Sequence, residues 1–314
     1  MDAETIRAEK ASLESLYGPW TAHNVRLADG VYTMSGSPTG DEVKLRRVTQ
    51  IVSDVFGGRF EDLRVLDLAC LEGMYALELA RRGAVVVAIE GRETNLEKAR
   101  FAARVLGLEV DFQLGDVRDL SPERHGEFDL VLALGILYHL DAPDLFTFVE
   151  RLGEVCSHAL VVDTHVARSG RETHAHDGHV YRGHHLVEHD PESTQKERLK
   201  AVWSSLDNVS SFALTRPSLE SLLARCGFTS VYECHVPAEP AKQVDRVTLL
   251  ALKGSLVGEL LAPPAAEGAT TVPERPPLAR RLEAVRLWSL GRVVVPRPLR
   301  ARLRRLLGAE TRRH

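Results

Sequence analysis

Cysteine is scarce: four in 314 residues, and Cys70, Cys156, Cys226 and Cys234 stand far apart without a CxxC pair. That spacing excludes a disulfide framework and a four-cysteine zinc site. The apolar runs around the thiols suit buried, reduced side chains in a cytosolic protein. No stretch reaches the roughly 18 uncharged apolar residues of a membrane-spanning helix. The first ten residues, MDAETIRAEK, lack a basic stretch followed by an apolar core, so no signal peptide is expected. Internal repeats are absent too. Positive charge is short in most of the chain and concentrated at one end. The formal net charge is -4, yet from Glu274 to His314 there are twelve Arg against three Glu. The remaining body is therefore acidic. Phosphate binding is dominated by Lys and Arg, so an acidic body speaks against a nucleic-acid footprint there.

With 44% hydrophobic and 27% charged residues, the chain reads as a water-soluble globular protein of one large domain with attachments. Residues 1–60 predict a helical cap: a helix over 1–20 ended by Gly18-Pro19, an extended segment turning at Asp29-Gly30, and a helix over 41–56. From Leu63 short apolar runs alternate with amphipathic stretches. The runs are 63–69, 84–90, 109–115, 128–137 and 159–166; the helical stretches are 73–82, 94–106 and 143–156. Strands too apolar for a wet face, separated by helices, predict a parallel sheet covered on both sides. A helix over 217–228 and strands over 228–236 and 245–254 complete it. The fold expected over 61–254 is α/β: a Rossmann-like, seven-stranded, mostly parallel sheet with one antiparallel strand. A lid is inserted over 165–216, a linker follows over 255–277, and a basic helical tail over 278–314. The tail places Leu299, Leu303, Leu306 and Leu307 on one helical face, a pattern that docks on the acidic body, on an anionic membrane or on an acidic partner.

The turn after the first strand, VLDLACLEGMYALELA, places Asp67 near the strand end and Gly73 at the opening of a helix. A helix N-terminus at the carboxyl edge of such a sheet is where nucleotide-like ligands bind. Glu90 ends the second strand, 23 residues after Asp67, where an acidic group accepts both ribose hydroxyls of NAD or S-adenosylmethionine. The third strand leads into GDVRDL, with Asp116 placed to contact an adenine amino group. The successive segments VLDLACLEG, VVVAIEGRETNLEKA, LGDVRDL, FDLVLALGILYHL and LVVDTH resemble, in order and spacing, the motifs of the class I S-adenosylmethionine-dependent methyltransferases. The resemblance implies that Asp67, Ala69 and Gly73 line the methionine moiety and that Glu90 holds the ribose. It also implies that Gly91 and Arg92 pass beside the adenosine, Asp116 and Val117 hold the adenine, and Leu134 and Gly135 close over the cofactor.

The glycine-rich DxGxGxG reads D67LACLEG73 here and keeps only its last glycine. Ala69 fits if its φ stays negative, and Leu71 must point away. NAD fares worse, because a pyrophosphate needs the first two glycines more than an amino-acid tail does. The flanks PWTAHNVRLADGVYT and SLDNVSSFALTRPSLESLLARCGF resemble a subgroup that includes the tRNA wobble-uridine carboxymethyl transferases. Those enzymes carry an arginine that helps hold a carboxylated cofactor; Asp207 stands there instead and would repel a carboxylate, so ordinary S-adenosylmethionine is expected.

Hydroxyl methylation needs a group to take the proton, and histidine is suited to that at neutral pH. His139, past the fourth strand, and His165, past the fifth, lie on the cofactor edge. Seven of the thirteen histidines fall between His165 and His189, and His184, His185 and Tyr181 are further acceptor-side candidates, with Arg182 and Glu188 beside them. The lid is expected to be solvated and mobile without acceptor. The spacing H174AH176DGH179 also suits metal ligation, but without partnering cysteine or carboxylates no metal is assigned. Trp203 could wall the acceptor pocket, although a core role is the favoured expectation. The acceptor expected is a hydroxyl on a small polar molecule such as a sugar or natural product. The rivals are tRNA modification and a non-catalytic nucleotide- or metal-binding regulator.

Overall fold

Two helices and a hairpin precede the main sheet. In α1 (Ala3–Tyr17) the Asp2 carboxylate caps the first turn by accepting from the Thr5 amide at 2.8 Å, and Gly18, at φ 78°, ends the helix. Strands β1 (Arg26–Ala28) and β2 (Val31–Tyr32) pair antiparallel about the expected Asp29-Gly30 turn. In α2 (Val43–Val55), Leu45, Val48, Ile51 and Val52 form one buried stripe. The computed structural model describes residues 1–34, 43–239 and 242–254. The expected linker and basic tail lie outside them.

The α/β succession follows: β3 (Arg64–Leu68), α3 (Met74–Arg81), β4 (Val85–Glu90), α4 (Glu93–Leu106), β5 (Asp111–Leu114), α5 (Pro122–His125), β6 (Phe128–Leu134), α6 (Asp144–Val155) and β7 (Cys156–His165). Strands β8 (Glu172–His176) and β9 (His179–Val187), helix α7 (Gln195–Lys200) and strand β10 (Ser210–Leu214) make up the insertion. Helix α8 (Arg216–Arg225) and strands β11 (Phe228–Glu233) and β12 (Arg246–Lys253) finish the described chain.

The seven-stranded sheet runs β11-β12-β7-β6-β3-β4-β5, with β12 antiparallel to both of its neighbours and β3 through β7 parallel. Side chains alternate across it, so each apolar strand feeds two cores. Val65, Val86, Leu130 and Val161 pack on one face with α1, α2, α3 and α4. Leu66, Ile89, Val131 and Leu160 pack on the other with α6 and α8. Both faces are covered, which is why the strands have no polar alternation to read. Among the described residues no helix is long and apolar enough to cross a membrane.

The insertion departs from the expected loose lid. Its histidine-rich part is the β8–β9 hairpin, extended by β10 into a three-stranded antiparallel sheet. Tyr181 and Phe212 are 2% and 0% exposed and stack toward Phe146 of α6, at ring separations of 5.0 and 6.4 Å. Tyr181 of the hairpin and Phe212 of β10 anchor the small sheet to the domain, and the period-2 pattern TyrArgGlyHis sets which residues face in.

Candidate active site

The winding of the sheet reverses between β3 and β6, the switch point where ligands bind an open α/β sheet. A cavity of about 360 Å³ opens there, within the range of small-molecule sites. Strand β3 delivers Asp67 to its wall, 1% exposed, and the carboxylate Oδ2 accepts no hydrogen bond. Burial, reinforced by the charge of Glu90, pushes this carboxyl up to about 7. In the loop that follows, Ala69 and Leu71 both adopt φ 53°. The expectation of a negative φ at Ala69 is therefore corrected. The loop keeps the left-handed turns that glycine makes easily, at a cost of about 1–2 kcal/mol for each side-chain-bearing residue. Gly73, at φ 79°, is held by packing: a Cβ there would lie 2.9 Å from the Ala99 Cβ and 3.2 Å from the Phe112 ring. It lets α3 approach α4 and β5, and lies outside the cavity wall instead of lining it as expected.

Glu90, 3% exposed, is gripped by its neighbours. Oε2 accepts from the Leu71 amide at 2.9 Å, while Oε1 accepts from the Arg92 amide at 2.9 Å and from Asn95 Nδ2 at 3.2 Å. Burial pushes its carboxyl above the usual range against the pull of these donors. Gly91 must lack a side chain, because a Cβ would run into Leu206 of the insertion. The Arg92 guanidinium turns away from the sheet and donates to the carbonyls of Leu199, Ala201, Ser204 and Ser205 at 2.9–3.0 Å, which clamps the insertion over the cavity. Val117, Leu134 and Gly135 line the cavity. Asp116 does not: its carboxylate is taken up by Arg118, which also reaches Asp207 at 2.8 Å. Asp207 thus sits beside the third-strand loop.

On the other flank, single-turn residues Leu137–His139 present Tyr138 and His139 to the cavity. His139 Nδ1 lies 3.0 Å from both Glu188 oxygens. Glu188 also accepts from the Ser205 amide and the Ser211 hydroxyl, each at 2.8 Å. Burial raises the Glu188 carboxyl, but these donors outweigh it and hold it below the usual range. An ionised Glu188 fixes the proton of His139 on Nδ1 and leaves Nε2 as an acceptor. Beneath them Asp163, 0% exposed, accepts from Arg246 Nε at 2.6 Å and the Thr248 hydroxyl at 2.7 Å, and pairs with Lys44 at 3.2 Å. His165 pairs with Asp245 at 3.4 Å and sets its ring edge-on to Tyr138 at 4.8 Å, without reaching the cavity wall. Burial, together with Arg246, pushes its imidazole below the usual value.

Residues 65–158 match the Methyltransferase domain family. The ubiquinone biosynthesis O-methyltransferase of Maricaulis maris (strain MCS10) is 32% identical over 108 residues, 33% of this chain and 42% of that protein. Its counterpart from Methylocella silvestris is 40% identical over 95 residues, 30% of this chain and 37% of that one. The chain thus spans about two fifths of the length of the curated relatives it matches. A longer likeness is to the N-terminal domain of EvdMO1, solved in the presence of SAH and D-fucose: 26% identity, TM-score 0.62, covering 81% of this chain and 98% of that one. The chain carries a class I S-adenosylmethionine-dependent methyltransferase domain.

The methyltransferase domain brings Asp67, Ala69, Glu90, Gly91 and Arg92 together with His139 around one cavity. The cofactor fits it: an unpartnered buried carboxylate oxygen at Asp67 suits an ammonium group, and Glu90 sits ready for hydroxyls. Three acceptor-side expectations are corrected. Tyr181 is a core side chain facing α6, because it alternates inward from β9. His185 lies on the middle strand β9 between Glu172 and the Phe212 ring, and His184 stands opposite Ala213 of β10; neither lines the cavity. Trp203 is 65% exposed at the cavity wall, not in the core. Among the described residues no group of three His, Cys, Asp or Glu is placed to hold a metal.

Sequence reasoning missed Lys44, Asp163, Arg246 and the N-terminal residues. Glu72, 0% exposed, accepts from the amides of Thr21, Ala22 and His23 at 2.7–3.1 Å. Lys98 supports it at 3.5 Å and bonds the Pro19 carbonyl. A charged residue inside an otherwise apolar turn, LEG, is the one signal that could have flagged Glu72.

Proposed function

We propose that the protein transfers a methyl group from S-adenosylmethionine to a hydroxyl of a small polar acceptor, with a sugar as the favoured class. The carrying observation is His139, oriented by Glu188, in the wall of the cavity that also holds Asp67 and Glu90. Bound S-adenosylmethionine supplies an electrophilic methyl group on a sulfonium. Glu90 holds the ribose hydroxyls, and Asp67 takes the ammonium of the amino-acid tail. His139 Nε2 accepts the proton of the acceptor hydroxyl while the oxygen–methyl bond forms and the sulfur–methyl bond breaks, leaving S-adenosylhomocysteine. The insertion, held down by Arg92, keeps water from the reacting atoms, and Trp203 offers a flat apolar face to the acceptor.

The quinone-pathway relatives match about a third of this chain, whereas a likeness over 81% of it extends past the cofactor motifs. That longer likeness is to a domain solved with D-fucose, and it favours a sugar over a phenol. Incubation with labelled S-adenosylmethionine and a panel of deoxysugars, sugar glycosides and catechols, followed by mass spectrometry, tests it. Methylated sugar is the expected product; methylated catechol alone would move the acceptor class to phenols.

A further inference from the structure

The N-terminal segment supplies a side chain to the cavity that no motif of the fold accounts for. His23 is 8% exposed, forms part of the cavity wall, and meets the Tyr75 ring edge-on at 5.6 Å. Its Nδ1 lies 3.2 Å from the backbone amide of Met74, the first residue of α3. A backbone N–H can only donate, so Nδ1 is the acceptor and carries no proton. In the neutral ring the proton is then on Nε2, and no hydrogen bond among the described residues uses it. Burial is the main reason the imidazole stays neutral, pushed down to about 4 against the pull of Glu72, with the charge of Lys44 acting in the same direction as burial. Lys44 lines the same cavity. Glu72 holds residues 21–23 in place through their amides, and its own charge is met by those donors and by Lys98. The wall therefore combines a fixed N–H donor and a nearby cation with the unpartnered oxygen of Asp67. That arrangement is complementary to a zwitterion: the ammonium goes to Asp67 and the carboxylate to the donor.

We infer that His23 is a cofactor-binding residue whose Nε2–H donates to the carboxylate of the cofactor's amino-acid tail. This rests on the proposed S-adenosylmethionine site. It adds that the cap, outside the α/β domain proper, reads the amino acid while β4 reads the ribose. It also gives Glu72 a purpose as the positioning residue that sets His23 over the cavity.

Calorimetric titration of the full chain and of His23→Phe tests this with two probes, S-adenosylhomocysteine and 5′-methylthioadenosine. The second keeps the adenosine and the sulfur but has no amino-acid tail. His23→Phe is expected to weaken S-adenosylhomocysteine by about tenfold, the loss of one hydrogen bond to a charged group, and to leave 5′-methylthioadenosine within about twofold. Retained binding of the tail-less probe also shows that the variant is folded. Equal losses for both probes, or no loss for either, overturn the assignment. If neither probe binds the unaltered protein, the S-adenosylmethionine site itself is what fails. Nitrogen NMR of the wild-type ring gives a second reading that needs no variant. A proton on Nε2 is expected, with a downfield shift on addition of S-adenosylhomocysteine and none with 5′-methylthioadenosine; a proton on Nδ1 overturns the inference.

Discussion

The two halves of the cavity are built by different means. On the cofactor side the ribose end is local, with Glu90 held by donors 2, 5 and 19 residues away within successive strand–helix turns. Only the amino-acid end draws on the N-terminal segment, 49 to 51 residues from Glu72. On the acceptor side the partners are remote: His139 and Glu188 are 49 residues apart, and Asp163 and Arg246 83. A site made of local turns comes with the fold. A site made of long-range pairs can change with its insertion while the sheet stays as it is.

If the acceptor half depends on remote charge pairs, its largest vulnerability is Asp163. Burial raises this carboxyl, but Lys44, Arg246 and Thr248 outweigh it and hold it below the usual range. Asp163→Asn leaves two mostly buried cations without their shared anion and should cost about 3 kcal/mol in urea unfolding. The sign of the pH dependence follows from the lowered folded value. The contribution is complete above the unfolded carboxylate pKa and is lost as pH falls through the folded one, so the gap between wild type and variant should narrow in acid. A gap that stays constant down to acid pH would show that Asp163 acts by packing alone.

His139→Ala should lower turnover about a hundredfold while S-adenosylhomocysteine affinity stays within about twofold. Glu188→Gln should reproduce part of that loss. An unchanged kcat for His139→Ala with a methylated acceptor in hand would leave the acceptor half with positioning as its only role.

Returning to the cofactor half, Asp67 must be ionised to take an ammonium group. Since its folded pKa is about 7, S-adenosylhomocysteine affinity should rise by several-fold between about pH 6 and pH 8. Asp67→Asn should flatten that profile; an equally steep profile in the variant would assign the titration elsewhere. The smallest effect is expected in the loop. Ala69→Gly relieves a left-handed φ of 53° and should stabilise the protein by under about 1 kcal/mol in thermal unfolding, because glycine's freedom in the unfolded chain offsets part of the gain.

The same division explains what could be read from the sequence. Strand runs, helix periods and the strand-end positions of Asp67 and Glu90 follow from local pattern, and both carboxylates lie in the wall of the cavity. Ala69 misled because residue type argued for negative φ, whereas the turn geometry of the loop decides it. Leu71, expected to point away, lines the cavity because the same left-handed turn carries it there. The histidine-rich segment misled because composition gives no register. Tyr181 and His185 share one face of β9, and only the packing of that face buries Tyr181 against Phe146 while His185 stays exposed beside Glu172 and Phe212. His23, Lys44 and Arg246 come from three separate parts of the chain, and nothing in their neighbours' identity announces a shared cavity.

The ribose carboxylate gives the most direct test of the central claim that this cavity is an S-adenosylmethionine site. Calorimetric titration with S-adenosylhomocysteine should show one site per chain and no binding of NAD. In Glu90→Ala the binding should weaken by more than about 1 kcal/mol, through loss of charge-assisted hydrogen bonds to the ribose. Equal affinity in wild type and Glu90→Ala, or tighter binding of NAD than of S-adenosylhomocysteine, would contradict the account.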